Sequence, residues 1–369
     1  MGSSGSKKKL SCPFFNFLYS FFTPYLINMR KNLTLLLICF AISSYAQEKD
    51  IHAKDVINTV KERLTISGFI QAGYDYEDGV NGQNTFNLKR GDFAITAKIT
   101  DHWKAMFAHA FVAGAVQELW TEYEFIPEVR VKVGQTKIPF GIENPFAPTK
   151  VELIDDYSLV TRYMLGVKDN PLQGNHAGRD IGIILNGDLL ENMVHYDLGI
   201  MNGQGINRRD ANKHKDIVAR LNVNATDWLM LSGSYYNGKF RAVGESRYVP
   251  EIKVGDDYTN NHWGIGAQVT LKEVSIRAEF MQGKEGKSKS EGYYALAYVH
   301  VHPKVDLILS YDYLNRSKSL NMKQTNYVAG ADWWFYPQCR LRLNYTHSVR
   351  SKAMGNDSNL LQAQLQLAF

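Results

Sequence analysis

Apolar and polar residues alternate strictly along the C-terminal end of the chain. One row consists of Leu361, Ala363, Leu365, Leu367 and Phe369, and the intervening row consists of Gln362, Gln364 and Gln366. The same period of two recurs within residues 263–272, 305–314 and 340–349. Because successive side chains of a strand point to opposite faces, this pattern predicts strands with one apolar and one polar face.

The same alternation, followed along the whole chain, predicts sixteen strands. They are expected near residues 64–76, 86–100, 103–112, 117–126, 129–137, 179–186, 193–201, 215–225, 228–238, 258–271, 274–282, 291–302, 305–315, 323–336, 339–349 and 358–369. Tight turns such as Pro127-Glu128, Pro303-Lys304 and Pro337-Gln338 alternate with longer loops. An even number of strands with alternating short and long connections is typical of a closed antiparallel barrel. One connection, residues 138–178, is far longer than the others, and such loops are usually functional.

Strand length separates a membrane barrel from a soluble sandwich, which would show the same alternation. Several predicted strands reach about ten residues, which is the span of a tilted transmembrane strand, whereas sandwich strands usually end near five or six. After Gln47 no stretch approaches the run of about 18 apolar residues that a transmembrane helix needs. The sequence therefore predicts an all-β fold, a transmembrane antiparallel β-barrel of about sixteen strands.

The N-terminal region has the features of an export signal. Met29-Arg30-Lys31 is followed by the apolar run Leu33–Ile42 and by Ser44-Tyr45-Ala46, with small residues at the cleavage positions. We expect an upstream extension of unassigned role at 1–28, a signal peptide at 29–46, a short periplasmic segment at 47–63 and the barrel at 64–369. A lipoprotein signal through Cys39 is less favoured, because the bulky Ile38 precedes it.

Charge and cysteine content exclude two classes of protein. Five of the 42 basic residues and none of the 37 acidic ones precede Gln47, so the remaining chain has a formal net charge of zero. A nucleic-acid-binding protein needs surplus cations to neutralise phosphates, and this chain lacks them. Cys339 is the only cysteine after the signal, so no internal disulfide is expected.

Three segments carry a resemblance to a known family. Gly134-Gln135-Thr136-Lys137-Ile138-Pro139-Phe140-Gly141 resembles the Gly-x-x-Lys-x-Pro-Phe-Gly signature of the phosphate-selective porin O and P family of Gram-negative outer membranes. His176–Gly182 resembles its Gly-Arg-x-x-Gly return strand, and Tyr196–Gly205 resembles its next hairpin. The aromatic C-terminus is similar to the outer-membrane insertion signal.

This resemblance implies a sixteen-stranded outer-membrane barrel, commonly a homotrimer, surrounded by outer-membrane lipid. Its long third loop would fold into the lumen and narrow the pore, with passive diffusion of small hydrophilic, often anionic, solutes such as phosphate. No cofactor and no metal are implied.

Strand parity and the family resemblance together define the candidate site residues. The pore-lining, anion-attracting candidates are Arg90, Arg130, Lys132, Arg162, Arg220, Arg277, Arg340 and Arg342. The constriction-loop candidates are Lys137, Pro139, Phe140, Gly141, Lys150 and Lys168. Carboxylates project into the lumen in similar number, so we expect only a weak preference for anions.

Other functions have weaker support in the sequence. An outer-membrane hydrolase would need a catalytic pair, and the best one, His347 with Ser348, consists of strand neighbours that point to opposite faces. His300 and His302 share a strand face and could bind a metal if a third ligand approached, but a pair of solvated histidines at the membrane interface is favoured. The alternative function is that of a structural or adhesive barrel whose lumen is blocked.

Overall fold

The computed structural model describes residues 61–79, 82 and 84–369, and in this part of the chain sixteen antiparallel strands form a closed barrel. The strands are β1 (Leu64–Glu77), β2 (Asn84–Lys98), β3 (Trp103–Ala110), β4 (Ala115–Ile126), β5 (Val129–Lys137), β6 (Arg179–Leu189), β7 (Val194–Met201), β8 (Asp216–Thr226), β9 (Leu229–Arg241), β10 (Asp257–Thr270), β11 (Val274–Glu285), β12 (Ser288–His302), β13 (Val305–Asn315), β14 (Lys323–Tyr336), β15 (Cys339–Arg350) and β16 (Ser358–Ala368). Each strand pairs with its chain neighbours, and β1 pairs with β16.

The sixteen-stranded barrel predicted from the sequence is confirmed. Every strand end falls within three residues of its predicted position. The predicted strands 274–282 and 291–302 leave residues 283–290 as a loop, and this part of the prediction is wrong. The ladder continues there through the pairs Lys284–Lys289 and Glu285–Ser288, and a two-residue turn containing Gly286 closes the hairpin.

The predicted signal peptide at 29–46, the extension at 1–28 and most of the segment at 47–63 lie outside the described residues. Within the described residues, no helix is long and apolar enough to cross a membrane.

The two faces of the wall differ as the alternation requires. On β16 the side chains of Gln362, Gln364 and Gln366 are at most 5% exposed, whereas Leu361 and Leu367 on the other face are about 40% exposed. Closing the sheet also leaves no strand edge without hydrogen-bond partners, which is the condition for a sheet to span a bilayer. The apolar rows therefore face outward and the glutamine row faces the lumen.

The connections at the two ends of the barrel differ in length. At one end the turns span two to four residues, for example 127–128, 303–304 and 337–338. At the other end lie the longer loops, and the connection between β5 and β6 covers residues 138–178. This connection, called the third loop below, includes a short 3₁₀ helix (Pro148–Lys150) and the helix α1 (Leu159–Met164).

The C-terminal residue takes part in closing the barrel. The backbone of Phe369 exchanges two hydrogen bonds with Gly68, with N···O distances of 3.0 and 3.1 Å. The Phe369 ring covers Gly68 so closely that a Cβ there would lie 2.7 Å from Cζ of the ring. The first strand therefore needs a residue without a side chain at this position.

We predict that replacing Phe369 with alanine lowers the stability of the barrel by about 1 kcal/mol, a typical cost for a single substitution. The ring would no longer cover the seam between β1 and β16. The measurement is the fraction of unheated protein that migrates as folded barrel during a urea titration. Phe125→Ala, at another exposed aromatic residue of the same barrel end, serves as the control, and equal losses in both variants would contradict a special role for Phe369.

Candidate permeation pathway

The third loop turns away from the wall at the Pro-Phe-Gly sequence. Ile138 still donates its N–H to Gly178 O at 2.9 Å, and Pro139 then has no N–H to continue the ladder. Gly141 has a φ of +68°, and a Cβ there would lie 2.9 Å from the Met281 side chain. Glycine at this position allows both the turn and the close approach to β11.

Carboxylates and a hydroxyl from the inner face of the wall accept hydrogen bonds from the loop backbone. Gly141 N donates to Ser234 Oγ at 2.9 Å, Ile142 N to Glu279 Oε1 at 2.8 Å, and Leu159 N to Asp312 Oδ2 at 2.5 Å. The three acceptors lie on β9, β11 and β13. The loop backbone is therefore bound to lumen-facing side chains across a wide sector of the barrel.

An apolar core joins the loop to the same sector. The loop contributes side chains such as Phe140, Val160 and Met164, and the wall contributes inward-facing residues such as Met281 and Ile308, all at most 1% exposed. Apolar residues on the inner face of a porin-type wall are unexpected, since a water-filled lumen favours polar ones. Here they exclude water from one side of the barrel.

Two predicted pore-lining arginines hold the loop from β15. Arg340 donates to the backbone oxygens of Thr149 and Val151, both at 2.9 Å, and Arg342 donates to those of Val151 and Glu152. Between them, the fully buried Asp332 lies 2.7 Å from Arg340 Nη1 and 3.2 Å from Arg342 Nε. Both guanidinium groups are therefore occupied by one carboxylate and by loop carbonyls.

Arg277 and Arg220 also contact the loop. Arg277 is 2% exposed and lies 2.7 Å from Glu152 and 3.3 Å from Glu143, which are both loop residues. Arg220 lies 2.7 Å from Asp197 on β7, and its other nitrogen reaches Gly141 O at 3.4 Å.

Three further basic candidates have partners of their own. On the wall, Arg130 lies 2.5 Å from Asp188, and Lys132 lies 3.1 Å from Glu122. At the start of the loop, Lys137 donates to the Tyr157 hydroxyl at 2.8 Å. Lys150 is exposed at the 3₁₀ helix.

A β-bulge in β2 brings two consecutive cations into the lumen. Gln71 is opposite Arg90 and Ala72 is opposite Leu88, so Lys89 is the extra residue. Lys89 Nζ and Arg90 Nη1 lie 3.0 and 3.2 Å from Asp156 Oδ1 of the third loop. Strand parity places Arg90 inward but Lys89 outward, because parity cannot detect a bulge.

Asp156 is the centre of a group that we call the constriction cluster. Its members are Lys89, Arg90, Asp155, Asp156, Arg162, Lys168 and Asp169. Arg162 contacts Asp155 and lies 2.9 Å from Asp169, and Lys168 lies 2.5 Å from Asp155. The cluster thus contains four basic and three acidic side chains.

The surroundings shift the pKa of two loop members of the cluster. Burial would raise the pKa of Asp156, but Lys89, Arg90 and Lys168 outweigh that effect and hold it well below its usual range. Burial, and then the charge of Arg162, lower the pKa of Lys168 to about 8. Asp156 is therefore ionised at any working pH, while Lys168 loses its charge in mildly alkaline solution.

Open space lies beside the apolar core, along β13–β16, β1 and β2. A cavity of about 420 Å³ is bordered by Asp155, Arg162 and Lys168 of the loop and by inward-facing residues of β1 and β13–β16. A second cavity of about 250 Å³ lies beside Lys89 on β2. Both cavities border Asp75, Asp155, Lys168 and Gln362. The space available to solutes is therefore eccentric and adjoins the constriction cluster.

The residues considered for other chemistry are not brought together. His347 contacts Asn359, whereas Ser348 bonds to Asn326 on the lumenal side. His300 lies 2.5 Å from Asp306, and no group of three potential metal ligands occurs among the described residues.

The geometry defines a class of protein: a sixteen-stranded transmembrane barrel whose third loop contacts the inner face of the wall. A comparison with family profiles matches residues 64–369 to phosphate-selective porin O and P. The match covers most of the chain, so the chain belongs to this family, and it is an outer-membrane porin through which solutes diffuse. A comparison with curated proteins finds no match.

Solved structures share the fold at low sequence identity. The anion-selective porin from Comamonas acidovorans has a TM-score of 0.60 at 13% identity, covering 83% of this chain and 99% of that chain. OmpF of Salmonella typhi, in complex with daunomycin, has a TM-score of 0.63 at 11% identity, with coverage of 83% and 97%. The trimer form of Vibrio cholerae OmpT has a TM-score of 0.61 at 11% identity, with coverage of 83% and 99%.

We predict that the triple variant Asp332→Asn, Arg340→Gln, Arg342→Gln has a larger single-channel conductance than the wild type. The variant loses four hydrogen bonds to loop carbonyls but leaves no unpaired charge at these positions. Each bond contributes about 1.5–3 kcal/mol when the donor is charged, so the loop should leave the wall more often.

The matched control is Arg130→Gln with Asp188→Asn, which removes a lumenal ion pair that does not contact the third loop. Planar-bilayer recording measures both variants. An unchanged conductance in the triple variant, or the same increase in the control, would show that these arginines do not restrain the loop.

Proposed function

We propose that this porin has a weak preference for anions such as phosphate, and that solutes pass between the third loop and the wall formed by β13–β16, β1 and β2. The observation that carries the proposal is the constriction cluster, of which Lys89, Arg162, Lys168, Asp155 and Asp169 border the cavities, while Arg90 and Asp156 lie next to Lys89. The Debye length at physiological salt is about 8 Å, and ions in a narrow passage come closer than this to the cluster. The nearby charges therefore affect the ions more than the zero net charge of the whole barrel does.

The preference should be weak because acidic groups share the passage. Asp75 borders both cavities from β1, and Asp169 and Glu77 border the larger one. Of the basic candidates, Arg277, Arg340 and Arg342 are at most 3% exposed and border neither cavity. Arg162, Lys168 and Lys89 border the cavities, and Arg90 lies beside Lys89 at Asp156, so we assign the anion preference chiefly to these four.

Export and assembly are also proposals. We propose that the signal peptide at 29–46 directs export, so that the mature protein begins at Gln47, which its intact mass would reveal. The homotrimer is supported by the fold shared with OmpT, which forms a trimer, and the mass of the detergent-solubilised complex tests it. A structural or adhesive barrel would show no channel conductance.

We predict that the reversal potential in a KCl gradient indicates a weak anion preference, and that Lys168→Gln moves it toward zero. The Lys150→Gln variant changes the charge of the same loop by the same amount, but Lys150 borders neither cavity. It should therefore behave like the wild type. A cation preference in the wild type would refute anion selectivity, and an effect of Lys150→Gln alone would place selectivity outside the constriction cluster.

We predict that the anion preference decreases as pH rises through about 8. Lys168 has a pKa of about 8, so it is about nine-tenths protonated at pH 7 and about one-tenth protonated at pH 9. Its positive charge is therefore present below this range and lost above it. Reversal potentials at pH 6, 7, 8 and 9 test this, and Lys168→Gln should show a smaller change over the same range. An equally large change in that variant would identify a different titrating group.

A further inference from the structure

The outer face of the β11–β12 hairpin carries an unusual pair of like charges. Lys284 and Lys289 are directly opposite each other in the ladder, on the side of the wall that faces away from the lumen. Both are exposed, and neither has an acidic partner within 4 Å in the described part of the chain. A third cation, Lys318, is adjacent through its backbone bond to Lys289 O and lies 2.7 Å from Glu291.

Like charges in directly opposite positions destabilise a strand pair, because their Cβ atoms are only about 5 Å apart. Among the described residues, no carboxylate offsets the repulsion between the two lysines, because the nearby Glu291 already pairs with Lys318. An anionic group placed between the two ammonium groups would remove this repulsion. The pair is therefore a candidate contact for an external anion.

Below the two lysines the same face carries a belt of tyrosines. Tyr293, Tyr311, Tyr327 and Tyr345 lie on β12–β15 and are 36–49% exposed. The Tyr293 and Tyr311 ring centroids are 6.0 Å apart, and those of Tyr311 and Tyr327 are 5.3 Å apart. Aromatic belts mark the interface between lipid tails and headgroups.

The spacing along β12 sets the depth of the charges. Lys289 precedes Tyr293 by four residues, which is about 13 Å along a strand. With a strand tilt of about 45°, this corresponds to about 9 Å along the membrane normal. Since the turn at 286–287 lies at the same end as the third loop, the lysines lie at the level of lipid headgroups on that side.

A groove of small residues lies beneath the belt. A cavity of about 520 Å³ on the outer face is bordered by Ala295, Ala297 and Ala329, with Ile276 and Leu309 beside them. The alanines leave space between the larger neighbouring side chains. The groove is apolar and open to the surrounding lipid, which suits a hydrocarbon chain.

We propose that the outer face of β11–β15 binds one molecule of a phosphate-bearing glycolipid of the outer leaflet. A phosphate would lie between Lys284 and Lys289, the headgroup would contact the tyrosine belt, and an acyl chain would occupy the alanine groove. Charge complementarity and the depth of the lysines favour this occupant. The proposal requires an outer-membrane barrel but does not depend on the ion selectivity of the pore.

The test uses the full-length mature protein in detergent, titrated with diphosphorylated lipid A and followed by native mass spectrometry. We expect saturable binding of one lipid per chain. Lys284→Gln with Lys289→Gln should bind about 30-fold more weakly, since each basic residue near a membrane surface contributes about fivefold to the affinity. Dephosphorylated lipid A should show a similar loss with the wild type.

The matched control is Lys272→Gln with Lys304→Gln, which removes two exposed lysines from the opposite end of the same group of strands. It should bind like the wild type. Ala295→Leu, which narrows the groove but retains both lysines, should also weaken binding, and gel mobility of unheated samples confirms that every variant is folded.

Three outcomes would overturn the proposal. The first is equal weakening in the lysine variant and its control, and the second is equal affinity for phosphorylated and dephosphorylated lipid. The third is a change in the number of chains per complex in the lysine variant, which would mean that a second copy of the chain covers this face. Displacement of the lipid by millimolar inorganic phosphate alone would show a simple anion site instead.

Discussion

Everything in this molecule depends on the requirement that backbone N–H and C=O groups have partners where water is absent. The closed ladder from β1 to β16 satisfies that requirement for the wall. It also fixes which side chains face inward, because one row of every strand must face lipid. A loop that enters such a barrel brings more backbone groups with it, and those groups find their partners on the inward rows. Glu279 and Asp312 accept from the loop, and Arg340 donates to it.

Strand parity, which follows from the same requirement, explains why so much of the structure could be predicted. The alternating rows indicate all sixteen strands and correctly place Arg277, Arg340 and Arg342 on the inner face, where each reaches the loop or a lumenal carboxylate. Parity fails where the ladder is irregular. A bulge in β2 turns Lys89 inward, and the neighbouring residue types do not predict that bulge. The full length of the β11–β12 ladder could not be predicted either, because its polar end residues resemble a loop.

The sequence contains a sign of the apolar core inside the barrel, namely apolar residues in a row that should face water. The alternation of apolar and polar residues does not by itself explain them. Ile308 and Leu314 occupy lumenal positions of β13, in the same row as Asp306 and Asp312, and a water-filled pore gives no reason for them. In the structure they pack against the third loop. An apolar residue in a lumenal row is thus informative, since it marks where something other than water lies against the wall. The partner itself could not be identified from the strand, because the loop sequence has no period that fixes its path.

The third loop fills one side of the lumen, so the inward-facing charges of the barrel are not all accessible to solutes. A neutral sum over these charges must be interpreted accordingly. Arginines on the filled side face Asp332, Glu143 and Glu152 at short distance in regions closed to solvent. There they stabilise the position of the loop, and leaving one of them unpaired would be costly. Charges on the open side border the space that solutes would use. The sum over all inward residues therefore says little about permeating ions, whereas the charges around Asp156 lie next to the pathway that we propose for them. The ion pairs of this porin therefore fall into two groups by position, with buried pairs beneath the loop and pairs that border open space at its edge.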